Sequence, residues 1–178
     1  MKHLILIICG FCTISSYGQV TRSVSASFTL NEVAMLDLEP SNSAVTLNLS
    51  SAIEAGEKAT VVATNNDKWI NFSSAVSVGN SRGISIKIED GQVPLGIYLK
   101  LSTSSYMGSG KGELGSPAKI LTLSSTPQTI ISGIKGAYTG DGTGNGYELT
   151  YSLYIYDYAL LDFNQTATLS ITLTLYDE

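Results

Sequence analysis

The stretch Thr166-Ala167-Thr168-Leu169-Ser170-Ile171-Thr172-Leu173-Thr174-Leu175-Tyr176 decides the fold class. Ala167, Leu169, Ile171, Leu173 and Leu175 hold the odd positions, and Thr, Ser and Tyr hold the even ones. Side chains alternate faces along an extended chain, so these residues make one apolar face and one hydroxyl-rich face. A helix would mix the two sets.

Working outward, the same period of two recurs near the other end of the chain. Val24, Ala26, Phe28, Leu30, Ala34, Leu36 and Leu38 share one parity, and Ser23, Ser25, Ser27, Thr29 and Asn31 take the other. Glu32 interrupts the apolar set, which predicts two strands or one bent strand, ended by Pro40. Further strand candidates are 45–49, 59–64, 69–73, 83–89, 96–103, 119–124, 129–132 and 147–156. Turn chemistry separates them: Asn65-Asn66-Asp67, Gly79-Asn80-Ser81, Asp90-Gly91 and two glycine-rich loops. Residues 51–58 have weak helical character, enough for a single turn. About ten short strands in one unbroken domain predict an all-β fold, a single antiparallel β-sandwich.

The first residues read differently. Lys2 and His3 precede a nearly continuous apolar run from Leu4 to Ile14, and Ser16 and Gly18 supply small residues around Tyr17. The run is shorter than the roughly 20 residues a spanning helix needs. It predicts a secretory signal over 1–18, cleaved before Gln19, with the β-domain over 19–178. Neither Cys9, after Ile8, nor Cys12, after Phe11, has the small preceding residue a lipid anchor requires. The expected location is outside the cell or on its surface, reached by way of the periplasm, with no membrane span.

Removing that leader removes both cysteines and the only histidine. The remaining chain of about 160 residues then has no thiol, no imidazole and no disulfide, so stability rests on its core. Cysteine and histidine nucleophiles, the usual zinc ligands and the commonest general base go with it. Of the ten basic residues only Lys2 precedes position 19, so the net charge moves from −5 to −6. No Lys or Arg run suggests nucleic acid.

Remaining constellations give no catalytic set. Glu89-Asp90 and the pair Asp157 and Asp162 lie at turns, where carboxylates are ordinarily solvated caps rather than a glycosidase pair. Ser116-x-x-Lys119, at a strand entry beside Pro117, and Ser132-x-x-Lys135, at a strand end, have the spacing of a serine–lysine motif but not the helix it needs. No enzyme activity and no cofactor are expected. Asp141-Gly142-Thr143-Gly144-Asn145-Gly146 places oxygen donors like the start of an EF-hand loop, which makes Asp141 and Asn145 calcium candidates. Ser152 stands where the bidentate Glu belongs, and a plain glycine-rich hairpin loop is the alternative. This loop, opened by Tyr138, echoes a second one opened by Tyr106.

Aromatic residues crowd the stretch 147–158. Tyr147 and Tyr151 share parity with Leu149, Leu153 and Ile155 and read as core. Tyr154 and Tyr156 fall on the other face, and with Tyr158 they are surface-contact candidates, for a glycan or a subunit; cross-strand pairing is the alternative. Trp69 reads as a core anchor.

In plan the chain resembles secreted Ig-like pilin subunits of the colonisation-factor type. The likeness lies in 24–38 after the leader, Ala63-Thr64-Asn65-Asn66-Asp67-Lys68-Trp69 in the middle and the closing strand 167–176. It is also similar to small secreted β-proteins of the Bacteroidota, through Asn31-Glu32-Val33-Ala34-Met35-Leu36-Asp37-Leu38-Glu39-Pro40 and Leu160-Leu161-Asp162-Phe163. The pilin resemblance implies donor-strand exchange, with Val24, Ala26, Phe28 and Leu30 as the knobs given to a neighbouring subunit. Read from the residues alone, the same four begin the first strand of a complete sandwich. The expected role is a structural subunit assembled with its own copies or other surface subunits. The alternative is a small carbohydrate- or surface-binding module.

Overall fold

The computed structural model describes residues 22–41, 43–48, 54–57, 64–162 and 166–178. The expected signal over 1–18, and nearly all of the strand expected at 59–64, lie outside the described residues. By its internal contacts the chain divides at Leu30, and all the strands belong to the unit Asn31–Glu178.

That unit is all-β. Its strands are β1 (Val33–Glu39), β2 (Thr64–Ala75), β3 (Arg82–Asp90), β4 (Ile97–Thr103), β5 (Lys111–Gly112), β6 (Ser116–Pro117), β7 (Ile120–Thr122), β8 (Gln128–Ile134), β9 (Ala137–Tyr138), β10 (Tyr147–Ile155) and β11 (Ser170–Asp177). One 3-10 turn, Tyr158–Leu160, follows β10, and its first residues are capped by the Asp157 carboxylate, which accepts from Ala159 N. Every pairing is antiparallel. One sheet runs β5-β9-β2-β10-β4-β7, with β1 on the other edge of β2; the second runs β11-β3-β8-β6. No helix among the described residues is long and apolar enough to cross a membrane.

The two sheets share one apolar core, as the alternation predicts for a sandwich. Ile70, Leu99, Leu101, Tyr147 and Leu149 enter it from the first sheet, and Ile84, Ile86, Ile130, Ile131 and Ile134 from the second. β3 shows the period of two plainly, with Ile84, Ile86 and Ile88 buried. β8 does not. Its register to β3 slips by one residue twice, and the extra residues let both Ile130 and Ile131 bury completely.

Other departures from the expected pattern have similar causes. Asn65-Asn66-Asp67 is not a turn; it lies inside β2. Leu149 faces Lys68 and Tyr151 faces Asn65, so β2 carries one more residue than β10 across this interval. Asp67 N donates to Asn65 Oδ1 at 3.2 Å, so turn-forming side chains here close a bulge. Trp69 is half-buried on the outer face and stands outside the core, because Ile70 and Phe72 take the inward parity. Residues 43–48 form no strand, although Val45 and Leu47 pack against the core. In the weakly helical stretch 51–58, the described residues 54–57 form one turn, closed by Glu57 N donating to Glu54 O.

The core also holds phenols. Burial pushes Tyr151 up to about 12, and burial with the neighbouring Tyr106 does the same for Tyr147. An unfolded tyrosine ionises near 10, so the folded state gains fully below pH 10 and loses that gain as pH rises towards 12. Each phenol accounts for an effect of order 2 kcal/mol. Urea melts of the wild type should therefore be flat up to about pH 10 and lose midpoint steeply above it. Tyr151→Phe should lose about half as much over the same interval.

Candidate functional site

Four features bear on function: the segment before β1, the seam where the two sheets have free edges, a tyrosine face and a glycine-rich loop carrying acidic neighbours.

Residues 22–30 carry no strand and every one is exposed. Val24, Phe28 and Leu30 are 94%, 93% and 93% exposed, and Ala26 is exposed with them. The alternating apolar set therefore has no β-partner in its own chain among the described residues, and β1 begins only at Val33.

β1 pairs only with β2, and β11 pairs only with β3, so among the described residues each presents an unpaired edge. The two strands approach each other across the sheets. Leu36 and Leu38 from β1 and Ile171, Leu173 and Leu175 from β11 are only partly buried there. Arg82 closes one end of this seam. Its Nε donates to Asp177 Oδ1 at 2.8 Å, its Nη2 pairs with Glu32, and its Nη1 donates to the Val33 carbonyl and to Ser74 Oγ at 3.4 Å. The guanidinium is 4% exposed, which its fork geometry makes tolerable by filling most donors. Lys68, buried as well, donates to the Pro40 carbonyl and to Ser43 Oγ and so holds the chain as it leaves β1.

The tyrosine face lies on β4 and β10. Tyr98 and Tyr154 are direct cross-strand partners. Tyr98 stacks on Tyr156 with centroids 4.2 Å apart, and Lys100 Nζ sits 4.3 Å above the Tyr154 ring. Tyr98, Tyr154 and Tyr156 are between 41% and 54% exposed, so each ring keeps part of its surface open although Tyr98 and Tyr156 cover each other and Lys100 covers Tyr154. Tyr158 is half-exposed in the 3-10 turn. Cross-strand pairing and outward display thus occur together. Tyr98 and Lys100 were missed in the sequence because their strand shows few other aromatic residues.

The two glycine loops, separated by some 30 residues, pack against each other. Met107 pairs with Gly146, and the Tyr106 hydroxyl donates to the Thr139 carbonyl at 3.0 Å while accepting from Gly110 N. Thr139, fully buried, continues the β9 pairing: its Oγ1 accepts from Phe72 N at 2.9 Å, and its N donates to Phe72 O at 3.0 Å. Gly146, at φ +88, lies where a Cβ would stand 2.0 Å from the Ile70 carbonyl. The loop is thereby pressed onto β2.

Of the two calcium candidates, Asn145 is engaged within the loop, its Nδ2 donating to the Asp141 carbonyl at 2.8 Å. Asp141 instead reaches outwards. Its carboxylate lies beside those of Asp37 and Glu39 from β1, with all three ligand oxygens within 4.8 Å of one another. The turn carboxylates Glu89 and Asp90 sit at the exposed end of β3.

No protein family, no curated protein and no solved structure matches this chain.

The seam geometry sets an expectation for Arg82→Met. Glu32 and Asp177 are 66% and 77% exposed and rehydrate freely, so the cost falls on the Val33 carbonyl and Ser74 hydroxyl left without their donor. That loss is about 1–3 kcal/mol. It should appear as a lower urea midpoint with an unchanged slope, together with faster amide exchange at the start of β1.

Proposed function

We propose that this protein is a secreted, non-catalytic subunit of a cell-surface assembly, an Ig-like β-sandwich of pilin type that joins its copies by strand exchange. The observation that carries the reading is the segment 22–30. It alternates cleanly, its apolar residues Val24, Phe28 and Leu30 are more than nine-tenths exposed, and among the described residues it belongs to no strand pairing. A monomer gains nothing by displaying such a row to water; at about 25 cal/mol per Å², its burial favours docking elsewhere. The edges of β1 and β11 that are free among the described residues, with half-buried Leu36, Leu38, Ile171, Leu173 and Leu175, offer unpaired backbone and apolar sockets of the right kind. The segment of one copy, added along that seam, pairs its backbone and buries its knobs in the next copy.

A second reading rests on the tyrosine face. Tyr98, Tyr154 and Tyr156 with Lys100 make a half-exposed aromatic cluster with one cation, of a kind that can contact a sugar ring. In that case the protein is a monomeric carbohydrate- or surface-binding module.

The test compares a chain starting at Gln19 with one starting at Asn31, by size analysis and negative-stain microscopy. Oligomers or filaments are expected from the first and monomers from the second, with a synthetic peptide of residues 22–31 binding the second. Phe28→Asp in the longer chain should stop assembly. A stable monomer from Gln19 that stays monomeric on concentration overturns strand exchange. Glycan binding by that monomer, lost in Tyr154→Ala with Tyr156→Ala, would then establish the second reading.

A further inference from the structure

β1 and the loop 139–146 meet on the outer face of the first sheet. Asp37 and Glu39, two residues apart on β1, project to the same side, and Asp141 comes to them from the loop. Three carboxylate oxygens within 4.8 Å of one another repel, and a cation held between them would relieve that repulsion. Among the described residues no ion pair does so. The ion pairs among the described residues are Arg82–Glu32, Arg82–Asp177, Lys87–Glu89 and Lys135–Glu113, and none reaches these three acids. The hydrogen bond to Asp37 is from its neighbour, Leu38 N to Oδ1 at 2.8 Å, which leaves most of the carboxylate's acceptor capacity open.

A second observation points to the same place. Asn71 is the cross-strand partner of Asp37. It is 4% exposed and lines one cleft with Asp37 and Asp141. Its Nδ2 is committed to the Asn145 carbonyl at 2.6 Å, which fixes the amide's orientation. Its Oδ1 is buried with no hydrogen-bond partner among the described residues. A buried carbonyl oxygen without a donor is costly, and native proteins rarely leave one. Here the side chain shares its cleft with the Asp37 and Asp141 carboxylates, which have no proton to give it when ionised.

We propose that Asp37, Glu39 and Asp141, with the Asn71 amide oxygen, form a site for a hard divalent cation, calcium by its chemistry. A cation answers both anomalies at once, balancing the carboxylates and supplying a partner for the orphaned oxygen. The donor set is all oxygen, without imidazole or thiolate, which suits calcium or magnesium and not zinc or copper. Calcium tolerates irregular geometry and completes its shell of six to eight oxygens with water, which fits donors taken from a strand and a glycine-rich loop. The site is not the EF-hand-like one suggested by the loop's own sequence. Asp141 is shared, but the other ligands come from β1 and β2, and Asn145 serves as a brace for Asn71 and for the loop. The bound ion ties the loop to β1, the strand that forms one free edge of the seam.

The experiment uses the purified protein freed of metal, with terbium and calcium as probes. Trp69, the only tryptophan, is the cross-strand partner of Glu39 and serves as the antenna for terbium luminescence. Expected are saturable luminescence at one ion per chain, displacement by calcium, and a melting temperature raised by about 5–10 °C at calcium a hundredfold above its dissociation constant. Asp37→Asn and Asp141→Asn should each weaken binding at least about tenfold. Without metal, each should melt at or above the wild type, because a repelling charge is gone. Asp90→Asn, at the far end of β3, should behave as wild type. The proposal is overturned if calcium leaves the melt unmoved, or shifts the wild type and both cluster variants equally. Terbium luminescence indifferent to these substitutions overturns it too.

Discussion

Two sheets, each apolar on one face, stand or fall by burying those faces against each other. In this chain the burden is unusually concentrated in isoleucine: Ile70, Ile84, Ile86, Ile130, Ile131 and Ile134 are wholly inaccessible. β-branched side chains are stiff and pack well on pleated surfaces, so such a core orders at low entropic cost. Tyr147 joins it by sending its hydroxyl to the Leu114 carbonyl at 2.9 Å, which lets a large ring lie inside without an unpaired polar atom. The cysteines stand only at positions 9 and 12, so no disulfide fixes the strands to one another. Register, bulges and loop contacts all answer to this shared core.

The core is not equally closed on all sides. At the seam between β1 and β11 the apolar residues are half-covered and the backbone edges are unpaired among the described residues. Arg82 fastens one end, spending its donors on two strands and two carboxylates. Natural sheets usually blunt a free edge with charge or proline. Here Pro40 stands at the exit of β1, while the apolar flank is only half-covered among the described residues. That contrast, together with the exposed row Val24, Phe28 and Leu30, is why we propose assembly through strand addition ahead of a freestanding binding module.

The outer face of the first sheet is differentiated along its strands. Tyr98, Tyr154 and Tyr156 gather on β4 and β10, and Asp37, Glu39, Asn71 and Asp141 gather on β1, β2 and the overlying loop. The loop keeps its place through Tyr106 and Thr139, which bond to backbone where regular pairing stops. A rigidly seated loop is the requirement for bringing Asp141 to β1 in a fixed position.

Much of this was readable from residue order, because the period of two is local. Alternation at Gly83–Glu89, Tyr147–Tyr156 and 166–176 identified strands and their inward faces, although the last begins only at Ser170 and leaves Ala167 exposed, and it separated buried Tyr147 and Tyr151 from exposed Tyr154 and Tyr156. It also marked 24–30 as an apolar row and Asp141 as an oxygen donor. What the sequence could not carry is whatever depends on pairing between distant segments. Bulges add residues that invert parity, so Ile130 and Ile131 both turn inward and Asn65-Asn66-Asp67 becomes part of a strand. Trp69 lies outside the core because its neighbours, fixed by register, occupy the inward side. Asp37 and Asn71 are 34 positions apart, and Asp141 lies 70 beyond Asn71; only the β1–β2 register and the folded loop bring them together. Local periodicity determined the strands, while long-range hydrogen-bond register decided the seam and the acidic cluster.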